Sequence, residues 1–413
     1  MYENKTGKPR VILAAVDTGE YDAEVSMDEL EQLADTAGAE TVARLIQKRP
    51  AVDNAAILGS GRLEELAELC KNENADMVIF DCELTASQVR NIEKATDTHT
   101  IDRTTLILDI FAQRAMTREG RLQVELAQYK YRLPRLAGMG VQLSRLGGGI
   151  GTRGPGETKL ETDKRHIRSR IRALEEELRS IGERRSRVRT RRKKDDVLTC
   201  AIVGYTNAGK STLLNALTDA GVMAEDKLFA TLDITSRRVI LPDGRRILMT
   251  DTVGLISRLP HELVEAFKST LEEAANADVI LHVIDAADPE CRQKTQVAER
   301  LLRELGCEGI PTVTVFNKCD RINVTDFPGV CMISAKHGRG LNEMLKAVAE
   351  ALPDNSISGR YLFPYGEGSL LSQIYELGRV TDVKHTEGGI EADITLDRKY
   401  LRLLEGAAQI IRS

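Results

Sequence analysis

The sequence predicts an α/β chain in four parts. A P-loop nucleotide-binding domain (residues 197–352) follows a small parallel α/β domain (1–103) and a long antiparallel helical hairpin (104–196). A small α+β domain (353–413) ends the chain. Three observations carry this expectation. Apolar strand-like runs alternate with helix-period runs in the first hundred residues. A long helix-period stretch is then interrupted by a glycine-rich segment at 147–156. Finally, an apolar run leads through G-x-x-x-x-G-K-S into a second apolar helix pattern.

The first domain rests on VILAAVD (11–17) and ADMVIFD (75–81), which read as buried strands. SMDELEQLADTAG (26–38) and GRLEELAELCKNE (61–73) read as helices, the first opening on Ser26 as its cap. Strands separated by helices imply a parallel sheet. LGSGRLEEL (58–66) has glycines ahead of a helix pattern but lacks the G-K-S/T chemistry, so it reads as a turn capping a helix.

From Arg103 to Pro134 the pattern is helical. Then comes GGGIGTRGPGE (147–157), with six glycines in its first ten residues. Beyond it, Leu160, Ile167, Ile171, Leu174, Leu178 and Ile181 recur at steps of 7, 4, 3, 4 and 3, an a/d stripe. Two long helices flanking a glycine tip imply an antiparallel hairpin. The alternative is two helices packed on the α/β unit with a linker between them. The second helix ends in RRSRVRTRRKK (184–194), eight basic residues and no acidic one. A solvated charge run is the plain explanation. Its density beside the glycine tip points instead to a polyanion partner. Neutralising six or more phosphates would weaken binding roughly a thousandfold between about 50 and 200 mM salt.

The chain has 413 residues, enough for several cores, with 42% apolar and 29% charged residues, a globular balance. The net charge of −5 excludes a global field favouring nucleic acid, so any such partner must be met by local asymmetry. The seven cysteines (70, 82, 200, 291, 307, 319 and 331) are scattered and form no C-x-x-C pair, so neither disulfides nor zinc are indicated. The six histidines (99, 166, 261, 282, 337 and 385) show no metal-ligand spacing; His261 lies near the switch and reads as a solvent-facing cap. No apolar run approaches about 18 residues, and the N-terminus has no leader pattern. A cytoplasmic monomer with no membrane span is expected.

TCAIVGYTNAGKSTLLNAL carries the phosphate loop between a strand and a helix, the context its chemistry requires. Residues Gly204, Tyr205, Thr206, Asn207, Ala208, Gly209, Lys210, Ser211 and Thr212 are expected around the phosphates, cradled by backbone N–H groups at a helix N-terminus. Lys210 should reach the β/γ-phosphates and Ser211 should bind Mg²⁺. Forty residues on, after a hairpin pattern with a Pro-Asp-Gly turn, comes TDTVG. Asp251 fits the acid that holds Mg²⁺. With Thr252 and Val253 it leads to Gly254, whose backbone can approach the γ-phosphate. Between the two lies FATLDIT. Phe229, Ala230, Thr231, Leu232 and Asp233 are expected at the nucleotide, with Thr231 closing over Mg²⁺ and Thr235 its competitor.

The base is read elsewhere. TVTVFNKCD supplies Asn317, Lys318, Cys319 and Asp320, and ISAKHGRG supplies Ser334, Ala335 and Lys336. A carboxylate at Asp320 accepts from guanine N1 and N2. Adenine offers no N1 donor, so the site rejects ATP. Backbone at Ser334–Lys336 can meet guanine O6. Four motifs in order resemble those of translation-factor-related GTPases, so GTP and GDP are the expected ligands of a P-loop GTPase domain.

Longer stretches narrow the resemblance. LILDIFAQRAMTREGRLQVELAQ, GGGIGTRGPGETKLETD and DTVGLISRLPHELVEAFKSTLEEA resemble the HflX family of ribosome-associated GTPases, over essentially the whole chain. One departure is AGMGVQLSRLGGG, which has no tryptophan and carries Gln142 near the family's usual histidine. The resemblance implies binding to the large ribosomal subunit and its rRNA in the GTP state, and splitting of stalled or idle ribosomes. It also implies a glycine tip reaching the peptidyl-transferase centre, where Arg153 can contact phosphate. By the same analogy, an adenine nucleotide at the N-terminal domain stays open.

Leu255 follows Gly254 where many GTPases place a water-orienting glutamine. Leucine cannot orient water. Positioning and charge stabilisation still carry most of phosphoryl transfer, so slow hydrolysis is expected. Two substitutes stand open. Asn207 can help hold a monovalent cation such as K⁺ beside the phosphates, as in related GTPases, or the partner can supply a group in trans. Rival roles are an assembly GTPase on immature rRNA and an RNA-binding module for which GTP is only a timer.

Overall fold

The computed structural model describes residues 7–136, 155–194, 197–218, 228–229, 235–256, 272–322, 331–353, 356–397, 400 and 409–410. The N-terminal domain is a four-stranded parallel sheet with helices between its strands. In chain order it contains β1 (Arg10–Asp17), α1 (Ala23–Thr36), β2 (Glu40–Lys48), α2 (Ser60–Asn72), β3 (Met77–Phe80), α3 (Ala86–Thr96), β4 (His99–Asp102) and α4 (Arg103–Arg114). The strand order is β2-β1-β3-β4. Val11 to Val16 of β1 are all buried, as a strand covered on both faces requires. Helix α1 starts earlier than expected. Asp22 is its cap, accepting from the Glu24 and Val25 amides. Ser26 instead lies inside the helix and donates to Asp81 at 2.7 Å, a tertiary bond that occupies its hydroxyl.

The helical stretch from Arg103 is two helices. Asp102 caps α4 by accepting from the Thr105 amide at 2.9 Å. Leu106, Ile107, Leu108, Ile110 and Phe111 are buried, making α4 a core helix of the N-terminal unit. Thr117 then caps α5 (Arg118–Arg135), accepting from Gly120 at 3.0 Å.

Helix α5 pairs with α6 (Pro155–Lys194) as the expected hairpin. Leu122 and Leu126 meet Leu174, with Ile171, Leu178 and Ile181 packed around them. Glu119 binds Arg185 at 2.7 Å and Glu125 binds Arg170 at 2.8 Å, so later positions on one helix meet earlier ones on the other: the pair is antiparallel. The glycine tip up to residue 154, with Gln142 and Arg153, lies outside the described residues.

The nucleotide-binding domain contains β5 (Thr199–Gly204), α7 (Lys210–Thr218), β6 (Thr235–Ile240), β7 (Arg246–Asp251), β8 (Val279–Asp285), α8 (Cys291–Glu304), β9 (Thr312–Asn317), β10 (Cys331–Met332) and α9 (Leu341–Ala351). The sheet order is β10-β9-β8-β5-β7-β6. Only β6 is antiparallel, joined to β7 by the expected hairpin. The turn closes with Gly244 N donating to Leu241 O at 2.9 Å.

The C-terminal domain is α+β, as expected. It comprises β11 (Ser356–Phe363), α10 (Gly368–Leu377), β12 (Arg379–Thr386), β13 (Gly389–Asp397) and β14 (Gln409–Ile410). The antiparallel order is β12-β13-β11-β14. Tyr361, Phe363, Ile374, Ala392, Ile394 and Leu396 form its core. No helix among the described residues is long and apolar enough to cross a membrane.

Candidate functional site

The site forms where β5, β7, β8 and β9 reach their carboxyl ends, the edge at which open α/β sheets bind ligands. The β5 run ends at Gly204, where a Cβ would come within 2.2 Å of Val283 O. At Gly209 (φ 90°) a Cβ would sit 2.3 Å from Asn317 Nδ2. Both positions therefore require glycine. Asn207 adopts the left-handed conformation at φ 59°, which asparagine tolerates well.

Lys210 opens α7 and is buried. Its ammonium donates to Gly204 O at 3.1 Å and Tyr205 O at 3.0 Å. Burial pushes its pKa down to about 8, against the upward pull of Asp251. Ser211 Oγ donates to Asp251 Oδ2 at 2.7 Å, and Asp251 is buried. A hydroxyl and a carboxylate this close are hard oxygen donors of the kind that suit Mg²⁺. Thr206 Oγ1, also buried, has no hydrogen-bond partner among the described residues.

The residues expected to read the base are tied to the phosphate loop. Asn317 Nδ2 donates to Ala208 O at 2.9 Å, and its Oδ1 accepts from Ala335 N at 2.9 Å. Ser334 Oγ donates to Asp320 Oδ1 at 2.5 Å, holding that carboxyl below the usual carboxylate range. Cys319 N donates to Ile333 O at 3.1 Å, joining the two loops. Lys336 is exposed and Thr212 is half-buried in α7.

The structure thus brings together the residues expected from Gly204 to Thr212, Asp251, Asn317 to Asp320 and Ser334 to Lys336. Thr252, Val253 and Leu255 are buried, so Leu255 is a packing residue. Gly254 lies between them. Ala230, Thr231, Leu232, Asp233 and His261 lie outside the described residues. Thr235 is the first residue of β6, paired in register with Asp251. Phe229 is buried. Its ring packs edge-on against Phe111 of α4 at 4.6 Å, and Leu228 N donates to Thr36 Oγ1 of α1 at 3.3 Å. Its described contact is with the N-terminal helices, because an aromatic ring gains more from an apolar wall than from phosphate.

Sequence reasoning missed Asp285 and His282. Asp285 ends β8 and pairs with Lys318 at 2.7 Å. The apolar run VILHVID ending in an acid was the available signal, the same one that marked Asp251. His282 is buried on β8, its pKa pushed down to about 4 by burial and then by the Lys210 charge. Elsewhere, LGSGR is a helix-capping turn. Gly59 N donates to Gln47 Oε1 at 2.9 Å, and Arg62 Nη2 donates to Ile46 O at 2.9 Å. In the basic run, Arg185 is committed to Glu119, and Arg189 binds Glu273 at 2.8 Å.

A phosphate loop on an α/β sheet, with an acid at the neighbouring strand end and an N-K-x-D loop tied to it, defines a P-loop GTPase. Family matches run in the same order along the chain. Residues 24–112 match the family described as GTP-binding GTPase N-terminal, 114–192 the GTP-binding GTPase middle region, and 199–318 the 50S ribosome-binding GTPase. GTPase HflX of Caldanaerobacter subterraneus subsp. tengcongensis is 50% identical over 403 residues, covering 97% of this chain and 94% of that protein. GTPase HflX of Escherichia coli is 42% identical over 382 residues, covering 90% and 89%. The chain belongs to the HflX family of GTPases, and it binds and hydrolyses GTP.

Proposed function

We propose that this GTPase associates with the large ribosomal subunit and its rRNA in the cytoplasm, is stimulated by it, and splits stalled or idle ribosomes. The observation that carries the reading is one chain joining a guanine-nucleotide site to an antiparallel hairpin whose far helix ends in a basic run. The likeness of residues 199–318 to a family described as 50S ribosome-binding supports the partner. Lys210 and the loop amides hold the phosphates, Asp320 reads guanine, and Gly254 admits the γ-phosphate. Ser211, Asp251 and Thr231 would hold Mg²⁺, which neutralises phosphate charge. Asn207 would help hold a monovalent cation such as K⁺ beside the phosphates.

Leu255 leaves the attacking water without a side-chain partner from that position. Hydrolysis is therefore slow alone and faster with the partner, where a group supplied in trans is worth about 10³–10⁵. The test is GTP turnover with and without purified large subunits, with ATP as control. Strong acceleration of GTP turnover alone supports the reading; an unchanged rate overturns the ribosomal activation. Preferential pelleting with precursor particles would mark an assembly GTPase. Splitting with a non-hydrolysable analogue would make GTP a timer and hydrolysis the release step.

A further inference from the structure

The carboxyl end of β8 holds a residue that no nucleotide motif includes. The Asp285 carboxylate lies 2.7 Å from Lys318 Nζ, and the two side chains are 20% and 14% exposed. Lys318 sits at φ 63°, a left-handed conformation that lysine adopts only at a cost. The surroundings impose it. Ala286 N donates to Asn317 O at 2.8 Å, and Arg321 N donates to Lys318 O at 2.9 Å. The carboxylate is itself fixed, since Asp285 Oδ1 accepts from Ala287 N at 3.0 Å. On either side of Lys318, Asn317 is held to Ala208 and Ala335, and Asp320 to Ser334. Lys318 is the residue of this loop whose side chain is held by a different strand.

We propose that Asp285 is a positioning residue of the guanine site, acting through Lys318. It draws the ammonium to the end of β8, so that the methylene stem, and not the charge, borders the base. This rests on Asp320 and its neighbours being the base site. Released from Asp285, the lysine regains rotamers that nucleotide binding must freeze again, and its charge is free to enter the base seat. The effect falls on nucleotide retention, for GDP and GTP alike, and not on the hydrolytic step.

The experiment is release of fluorescent GDP from the full chain, with turnover at saturating GTP. Asp285→Asn keeps a carbonyl oxygen for the Ala287 amide and removes the charge. It is expected to speed release about tenfold and to raise KM while kcat stays within about twofold. Lys318→Met keeps the stem and removes the ammonium. Asp285→Asn added to Lys318→Met should change release no further. A variant that only loosens the fold would add its full effect in either background. Release at the wild-type rate in Asp285→Asn, a full further tenfold in the double variant, or a fall in kcat without faster release each overturns the proposal. Asp320→Asn tests the underlying site separately. It must exchange preference for GDP for preference for xanthosine diphosphate, and if it keeps GDP, the base-site reading itself fails.

Discussion

Two buried cations distinguish the N-terminal sheet from the sheet of the nucleotide-binding domain. In the N-terminal domain Arg103 follows β4 directly and is buried. Its guanidinium is paired with Asp81 at 2.8 Å and also with Glu29, while Asp81 accepts from Ser26. Beside it, Asp102 accepts from Leu84 N at 3.1 Å and from Tyr131 Oη; burial, and then the Asp102 charge, push the Tyr131 phenol far above its ordinary value. The carboxyl edge of that sheet closes on itself. In the nucleotide-binding domain the buried cation is Lys210, whose ammonium bonds two backbone carbonyls and carries a depressed pKa of about 8. One architecture thus yields a lock where two carboxylates bond the charge, and a cation that bonds two backbone carbonyls and whose desolvation outweighs the pull of Asp251.

The largest effect should come from breaking the lock. Arg103→Ala leaves Asp81 buried without its guanidinium and should destabilise the N-terminal domain by about 3–5 kcal/mol. Chemical denaturation would read this as early loss of that domain, with GTP binding by the rest of the chain preserved. Removing the other cation should do the reverse. Lys210→Ala should lower GTP hydrolysis by about 10²–10³-fold, with thermal stability unchanged or raised, since desolvation of this ammonium outweighs the pull of Asp251. A destabilised Lys210→Ala chain would contradict the contrast.

His282 sharpens the same point, because it too is buried, and it feels the Lys210 charge. Its pKa is about 4 in the fold, against 6.5 as its ordinary value. Between those pH values the unfolded chain binds more protons than the folded one. Stability is therefore complete above about pH 6.5 and falls toward pH 4, by about 3 kcal/mol. His282→Gln should show a shallower acid slope in denaturation titrations; an identical slope would assign the acid loss to other groups. The smallest effect concerns the basic run. With Arg185 and Arg189 already paired, the salt dependence of the proposed rRNA binding should change little on Arg189→Gln and clearly on Arg184→Gln, whose side chain is exposed.

How much of this was legible follows from how local the chemistry is. The candidate site is built from contiguous stretches, so Gly204–Ser211, Asp251, Asn317–Asp320 and Ser334–Lys336 could be proposed from the sequence directly. The hairpin was legible because Ile171, Leu174, Leu178 and Ile181 keep one helical face. Strand β2 was not, since only Leu45 in it is buried and no clean alternation results. Strand β12 is mostly exposed; Val380 packs on the domain core, but its valines make no alternating pattern. The lock needs Arg103, Asp81 and Glu29, brought together from three elements, and no local pattern announces such a pairing. Asp285 was hidden in the same way, because its role appears only when β8 and the N-K-x-D loop are seen side by side.

The most direct test of the central claim is calorimetric titration with GDP at about pH 8.5, in two buffers of different ionisation enthalpy. If Lys210 is a buried cation awaiting an anion, its pKa rises when phosphate arrives. Binding should then take up a fraction of a proton, and affinity should weaken as pH climbs past about 8. Lys210→Ala should abolish the uptake, and Arg103→Met should leave it intact. Binding with no proton exchange, at an affinity constant from pH 7 to about 9.5, would mean that Lys210 is already fully charged in the free protein, and the contrast between the two sheets would fail.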